Sequence, residues 1–143
     1  MFHPMYCALA PMCSQPKFKR DGLMIHAEFK EATDVRARQL GIQHCLVGVK
    51  DKVHAPNTLQ MDLAISPAET VFVGDDLNDL AVRPVVALLL APADACASVR
   101  RGADFVLSRR GGHGAVRELA ERILQARGGW SLLNNRGWRD RND

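Results

Sequence analysis

From residue 26 onward, short unbroken apolar runs alternate with longer stretches in which apolar side chains recur every three or four positions. The first rhythm is that of strands buried on both faces, the second that of helices with one buried stripe. Residues 26 to 40, HAEFKEATDVRARQL, are rich in helix formers and end before Gly41, a suitable C-terminal cap, so a helix is predicted there. Residues 42 to 49, IQHCLVGV, are short, partly β-branched and bounded by Gly41 and the charged Lys50-Asp51-Lys52, and read as a strand. A second helix is predicted over residues 54 to 64, with Pro56 in its first turn and Leu59, Met61 and Leu63 as apolar positions. SPAE, residues 66 to 69, has the form of a capping box: Ser66 caps, Pro67 takes the first helical position and Glu69 reaches back.

Residues 70 to 73, TVFV, give a strand, followed by a helix over 77 to 83 that stops by Pro84. VVALLLA supplies the next strand, residues 94 to 101 a short helix, and ADFVL a fourth strand. Residues 114 to 127 form an amphipathic helix with Val116, Leu119, Ile123 and Leu124 on one stripe. Apolar strands joined through helices predict an α/β fold, a Rossmann-like parallel sheet flanked by helices, because each parallel return needs a crossover. Residues 1 to 20 hold Pro4, Pro11 and Pro16 and match neither rhythm; they are expected to form an irregular arm. Residues 128 to 143 form a polar tail with Trp130 and Trp138 among arginines, read as a frayed terminus. One domain, residues 21 to 127, lies between.

The 143 residues are enough for one buried core, and 47% hydrophobic with 24% charged residues is an ordinary globular balance. A formal charge of +3 is small for a nucleic-acid binder, which usually concentrates more charge on one face. Cys7, Cys13, Cys45 and Cys96 form no CxxC pair and read as free thiols. The N-terminal residues lack a basic leader pattern, and no apolar run reaches the roughly 18 residues needed to span a bilayer, so a cytoplasmic location is expected.

Candidate chemistry gathers behind the strand at residues 70 to 73, where VGDDLND places Asp75, Asp76 and Asp79 together. In open α/β sheets ligands bind beyond the C-terminal ends of strands. Crowded carboxylates repel one another unless a hard cation relieves them, and Mg²⁺ takes one or two carboxylates with waters and phosphate oxygens. The alternative is that one Asp caps the next helix and the others are solvated. The alternating ligands and central Gly of an EF-hand are absent. GVKDK, residues 48 to 52, follows the preceding strand and offers Lys52 as a compact charge for a phosphate. Together they read as a phosphate-plus-magnesium site.

Over residues 36 to 127, GVKDK, VGDDLND, ADA at 93 to 95, GADFV and GGHGAVRE follow one another as they do in the haloacid-dehalogenase superfamily. The chain resembles the 3-deoxy-D-manno-octulosonate 8-phosphate phosphatase group of that superfamily. The resemblance implies a Mg²⁺-dependent sugar-phosphate phosphatase of lipopolysaccharide biosynthesis, usually a homotetramer, working through an aspartyl-phosphate. It implies that Lys52 steadies nucleophile and phosphate, that Asp75 is a metal ligand with Asp76 and Asp79 supporting it, and that Arg20, Asp21 and Gly22 in KRDGLMI, with Arg36, bind the sugar acid. GGHGAVRE resembles the segment that covers a neighbouring subunit's site, with His113 where Arg is common.

Members of the family begin with a strand ending in D-x-D-G, whose first Asp attacks phosphorus and whose second moves the proton; here no Asp precedes Asp21. Between Ile25 and Arg36 the chain is about a dozen residues too short for a further strand with a phosphate-binding hydroxyl, and Thr33 is the only hydroxyl there. Covalent catalysis needs a positioned nucleophile and a proton donor, and losing them costs orders of magnitude in rate. Two readings follow: a phosphatase by descent with negligible turnover, or a non-catalytic domain binding Mg²⁺, a phosphorylated sugar or sister subunits, as in the phosphatase-like domain of some acylneuraminate cytidylyltransferases. A displaced start or reading frame is a third explanation for the missing motif.

Overall fold

The computed structural model describes residues 5–9, 22–26, 35, 37–39 and 44–128. One sheet contains β1 (Met5–Leu9), β2 (Gly22–His26), β3 (His44–Val47), β4 (Thr70–Val73), β5 (Leu88–Ala91) and β6 (Phe105–Val106), in the order β3-β2-β1-β4-β5-β6. Helices α1 (His54–Leu63), α2 (Ala97–Gly102) and α3 (Ala115–Ala126) accompany it, with 3₁₀ segments at Pro67–Glu69 and Leu77–Val85. Residues 35 and 37–39 are helical, inside the first predicted helix; His26, expected to open that helix, instead closes β2.

The class is α/β, as expected. β2 pairs parallel with β3, β4 with β5 and β5 with β6, whereas β1 is antiparallel to both β2 and β4. Because β2 and β4 both oppose β1, they share a direction. All the strands except β1 therefore run the same way, and the exception lies in the middle of the sheet. β1 falls within residues 1 to 20, the stretch expected to form an irregular arm, of which residues 1–4 and 10–20 lie outside the described residues. MYCAL is too short to show a period of its own, and pairing to two neighbours is what defines it as a strand.

Alternation along the strands splits the core into two layers. Phe72 and Leu89 point to one face and pack with Ala55 and Leu59 of α1 and Val82 and Val86 of the second 3₁₀ stretch. Val71, Val73 and Leu90 point to the other, against Leu107 and against Ala115 and Leu119 of α3. A smaller cluster of Ala91, Ala95 and Val99 seats α2. Met61, expected on the apolar stripe of α1, is 82% exposed. Between α1, β4 and the 3₁₀ segment, the buried Gln60 amide donates to Thr70 Oγ1 and to the Val85 carbonyl, both at 2.8 Å. That bridge lets a polar side chain sit inside the layer without an orphaned donor.

The capping box forms as predicted: Glu69 Oε2 accepts from the Ser66 N–H and hydroxyl at 2.9 and 2.8 Å. These two donors, the backbone one foremost, hold the Glu69 carboxyl below its ordinary range. The stretch after β4 is 3₁₀ rather than α and continues through Pro84 to Val85. Tight i→i+3 turns come in short pieces and tolerate a local break better than an α-helix interior does.

Candidate functional site

Val73 hands the chain to Gly74, whose N–H donates to the Leu90 carbonyl at 3.0 Å and extends the ladder to β5 by one step. Gly74 is needed for contact, since a Cβ there would lie 2.5 Å from Asp79 Cβ. Asp75 follows, half-buried, its carbonyl accepting from the Cys96 N–H at 3.0 Å. Asp76 is exposed and caps the 3₁₀ segment, accepting from the Leu77 N–H at 2.8 Å. Asp79, one turn on, is fully buried.

Asp79 is the hub. Its Oδ2 accepts from the N–H groups of both Asp75 and Asp76 at 3.0 Å, and its Oδ1 accepts from Lys52 Nζ at 2.6 Å. Lys52 is 6% exposed and reaches in from the turn between β3 and α1. Asp51 holds that turn by accepting from the N–H groups of Val53 and His54 at 3.0 and 3.1 Å. The chain thus brings Lys52, Asp75 and Asp79 to one edge of the sheet, as the sequence spacing suggests.

Burial raises the Asp75 carboxyl above the usual aspartate range; Asp79 adds to the rise, and Lys52 opposes it. Three carboxylates against one ammonium leave the locus formally anionic, an arrangement a divalent cation relieves. Mg²⁺ needs only one or two protein carboxylates. Asp75 fits as such a ligand, with Asp76 beside it. Asp79 does not fit as readily, because both of its oxygens already serve Lys52 and two backbone amides. Among the described residues no three His, Cys, Asp or Glu side chains form a closed metal cluster.

The substrate-side residues behave differently. Arg20, Asp21, Arg36 and Thr33 lie outside the described residues. Gly22 opens β2 and shares the partner Ala8 with Val71, so it is level with the start of β4, at the edge away from Asp75. A strand parallel to β4 brings its C-terminal end, here His26, to the Asp75 edge, and Gly22 is at its other end.

Two of the remaining motifs are tied to each other. Asp94 of ADA accepts from the Gly111 N–H at 2.7 Å, which, ahead of Arg110, holds its carboxyl below the ordinary value. Glu118 of GGHGAVRE accepts from the Ser108 and Arg109 N–H groups at 3.1 and 2.9 Å and from Arg122 at 3.0 Å. Burial pushes the Glu118 carboxyl up, but these donors outweigh it and leave it lowered. His113 is exposed, with Nδ1 3.0 Å from the Gly111 carbonyl. Gly74 and the Cys96 amide were missed as site residues; the glycine between an apolar strand and paired acids was the available signal.

No family model matches the chain. Over 93 residues it is 42% identical to 3-deoxy-D-manno-octulosonate 8-phosphate phosphatase of Escherichia coli strain K12, covering 65% of this chain and 50% of that protein. Its fold is similar to the crystal structure of the same phosphatase from Yersinia pestis, with TM-score 0.76 and 35% identity over 78% of this chain and 60% of that one. The Moraxella catarrhalis phosphatase, crystallised with magnesium, phosphate and KDO, gives TM-score 0.74 and 32% identity over 78% of this chain and 64% of that one. The chain belongs to the haloacid-dehalogenase superfamily. Within the superfamily it is similar to the 3-deoxy-D-manno-octulosonate 8-phosphate phosphatases and spans about half the length of the curated ones it matches. No helix among the described residues is long and apolar enough to cross a membrane.

Proposed function

We propose that this chain is a phosphatase-family domain that binds Mg²⁺ and a phosphorylated sugar acid of the 3-deoxy-D-manno-octulosonate 8-phosphate type, without hydrolysing it. One observation carries the reading: the central strand β1 runs against its neighbours. It turns its C-terminal end, Leu9, away from Asp75, and no strand in this sequence ends in D-x-D-G. Among the described residues, the strand-borne nucleophile and proton donor that the resemblance implies therefore have no counterpart beside Lys52. What remains is the binding half of the chemistry. Asp75, supported by Asp76, would hold the cation, which when bound supplies charge neutralisation for the phosphate. Lys52, steadied by Asp79, presents the neighbouring positive charge. Self-association belongs to the same reading and is checked by sedimentation.

Thermal unfolding with Mg²⁺ and orthovanadate, phosphate or the sugar phosphate tests this. A ligand at about ten times its Kd stabilises by about 1.4 kcal/mol, or roughly 3–6 °C for a chain of this size. The rise should require Mg²⁺ and disappear in Asp75→Ala. No rise at millimolar ligand, or a rise indifferent to Asp75, overturns the proposal.

A further inference from the structure

The backbone that carries the Asp75 carboxylate is held on both sides. Its N–H donates to Asp79 Oδ2 at 3.0 Å, and its carbonyl accepts from the Cys96 N–H at 3.0 Å. The second contact is only as well placed as residues 92–96, the turn between β5 and α2. A neighbouring loop fixes that turn: the Ala93 N–H donates to the Arg109 carbonyl at 3.0 Å, and Asp94 Oδ1 accepts from the Gly111 N–H at 2.7 Å. Asp94 Oδ2 also faces Arg110 Nε, but at 3.4 Å and from an arginine 70% exposed, a contact worth little. Gly112 and Gly114, at φ +69° and +100°, let the chain between β6 and α3 turn back tightly. Glu118, in the first turn of α3, steadies the same loop by accepting from the Ser108 and Arg109 N–H groups at 3.1 and 2.9 Å. A run of hydrogen bonds therefore leads from α3 through Asp94 to the Asp75 carbonyl.

We infer that Asp94 is a positioning residue for the cation-binding carboxylate. By fastening the 92–96 turn to Gly111 it sets the Cys96 N–H, and through that donor the direction in which Asp75 presents its side chain. This rests on the reading of Asp75 as the Mg²⁺ ligand. Groups that orient a metal's own ligands matter nearly as much as the ligands, and losing one typically costs about 10–100-fold in metal affinity. Asp94 has the chemistry for such a role, because a carboxylate accepting from a backbone N–H makes a short, charge-assisted bond of the stronger kind. Its place in the chain suits the role too. It lies two residues from Cys96, on the loop beyond the C-terminal end of β5, and β5 runs parallel to the strand that delivers Asp75.

The test uses the isotope-labelled full chain well below its unfolding temperature, with amide exchange read by NMR and Mg²⁺ alone titrated by calorimetry. Asp94→Ala should speed exchange of the Cys96 amide several-fold, while the Gly74 amide, bonded to the Leu90 carbonyl, keeps the parent's rate. The same variant should weaken Mg²⁺ binding about tenfold. Asp94→Asn keeps an oxygen for the Gly111 N–H and should stay within about twofold of the parent in both measurements. Unchanged Cys96 exchange or unchanged Mg²⁺ affinity in Asp94→Ala overturns the inference. So does exchange that rises across the whole molecule, or an asparagine variant as damaged as the alanine one. A parent that binds no Mg²⁺ overturns the function proposed above, while Cys96 exchange still decides whether Asp94 sets the Asp75 backbone. Where Asp94→Ala does not fold, the parent decides: a contact that favours the cation is favoured by it, so saturating Mg²⁺ should slow exchange of the Gly111 amide, and no slowing overturns the inference.

Discussion

The Lys52–Asp79 pair can be dissected because its two carboxylate oxygens have separate jobs. Oδ1 meets the ammonium and Oδ2 meets two backbone amides. With Lys52 6% exposed and Asp79 0% exposed, Lys52→Met strands a buried carboxylate. Breaking a buried pair in this way costs about 3–5 kcal/mol, a large share of the roughly 5–15 kcal/mol that holds a domain together. Asp79→Asn in the Lys52→Met background removes the stranded charge, while the amide oxygen still accepts from Asp75 and Asp76. The double variant should therefore be more stable than Lys52→Met alone, with a coupling energy of about 2–3 kcal/mol. Urea unfolding followed by circular dichroism measures all four members of the cycle, provided their m-values agree. Additivity within about 0.5 kcal/mol would show that the ammonium and the carboxylate do not depend on each other, and the hub assigned to Asp79 would be refuted.

Other substitutions report on neighbouring features. Gly74→Ala pushes a methyl into Asp79 and should cost about 1–3 kcal/mol in urea unfolding, with weakened Mg²⁺ binding by calorimetry; unchanged stability contradicts the contact. Asp75 is held above its unfolded pKa, so it binds protons more readily when folded, and its ionisation opposes folding as pH rises through the carboxylate range. Asp75→Asn should accordingly raise the thermal midpoint at neutral pH and lose the gain below that range. Glu118 has the opposite sign: its lowered pKa adds stability that is present above the unfolded value and lost as pH falls through the folded one. Glu118→Gln should flatten the acid side of the stability profile. Gln60→Leu leaves the buried Thr70 hydroxyl and Val85 carbonyl without their donor and should cost about 1–3 kcal/mol by urea unfolding.

Elements with a strong local signal were legible in the sequence. α1, α3, β4 and the Ser66–Glu69 box fall where spacing and capping residues put them. The convergence of Lys52 with Asp75 was legible too, because parallel strands deliver their C-terminal ends to one edge. β1 was not legible: nothing in five residues encodes direction, which is set by pairing with β2 and β4 far along the chain. The same long-range register decides that Gly22 lies away from the acids, which the loop-like appearance of KRDGLMI does not disclose. Asp79 looked like a third cation ligand because D-D-x-x-D is a local pattern. Its engagement with Lys52 spans 27 positions and two elements.

Phosphate release is the most direct check on whether the reversed strand has separated binding from chemistry. With Mg²⁺, and with 3-deoxy-D-manno-octulosonate 8-phosphate or p-nitrophenyl phosphate, the full chain should release phosphate no faster than its Asp75→Ala variant. A rate well above background that Asp75→Ala abolishes would contradict this, and would mean that a nucleophile reaches the edge where β4 ends.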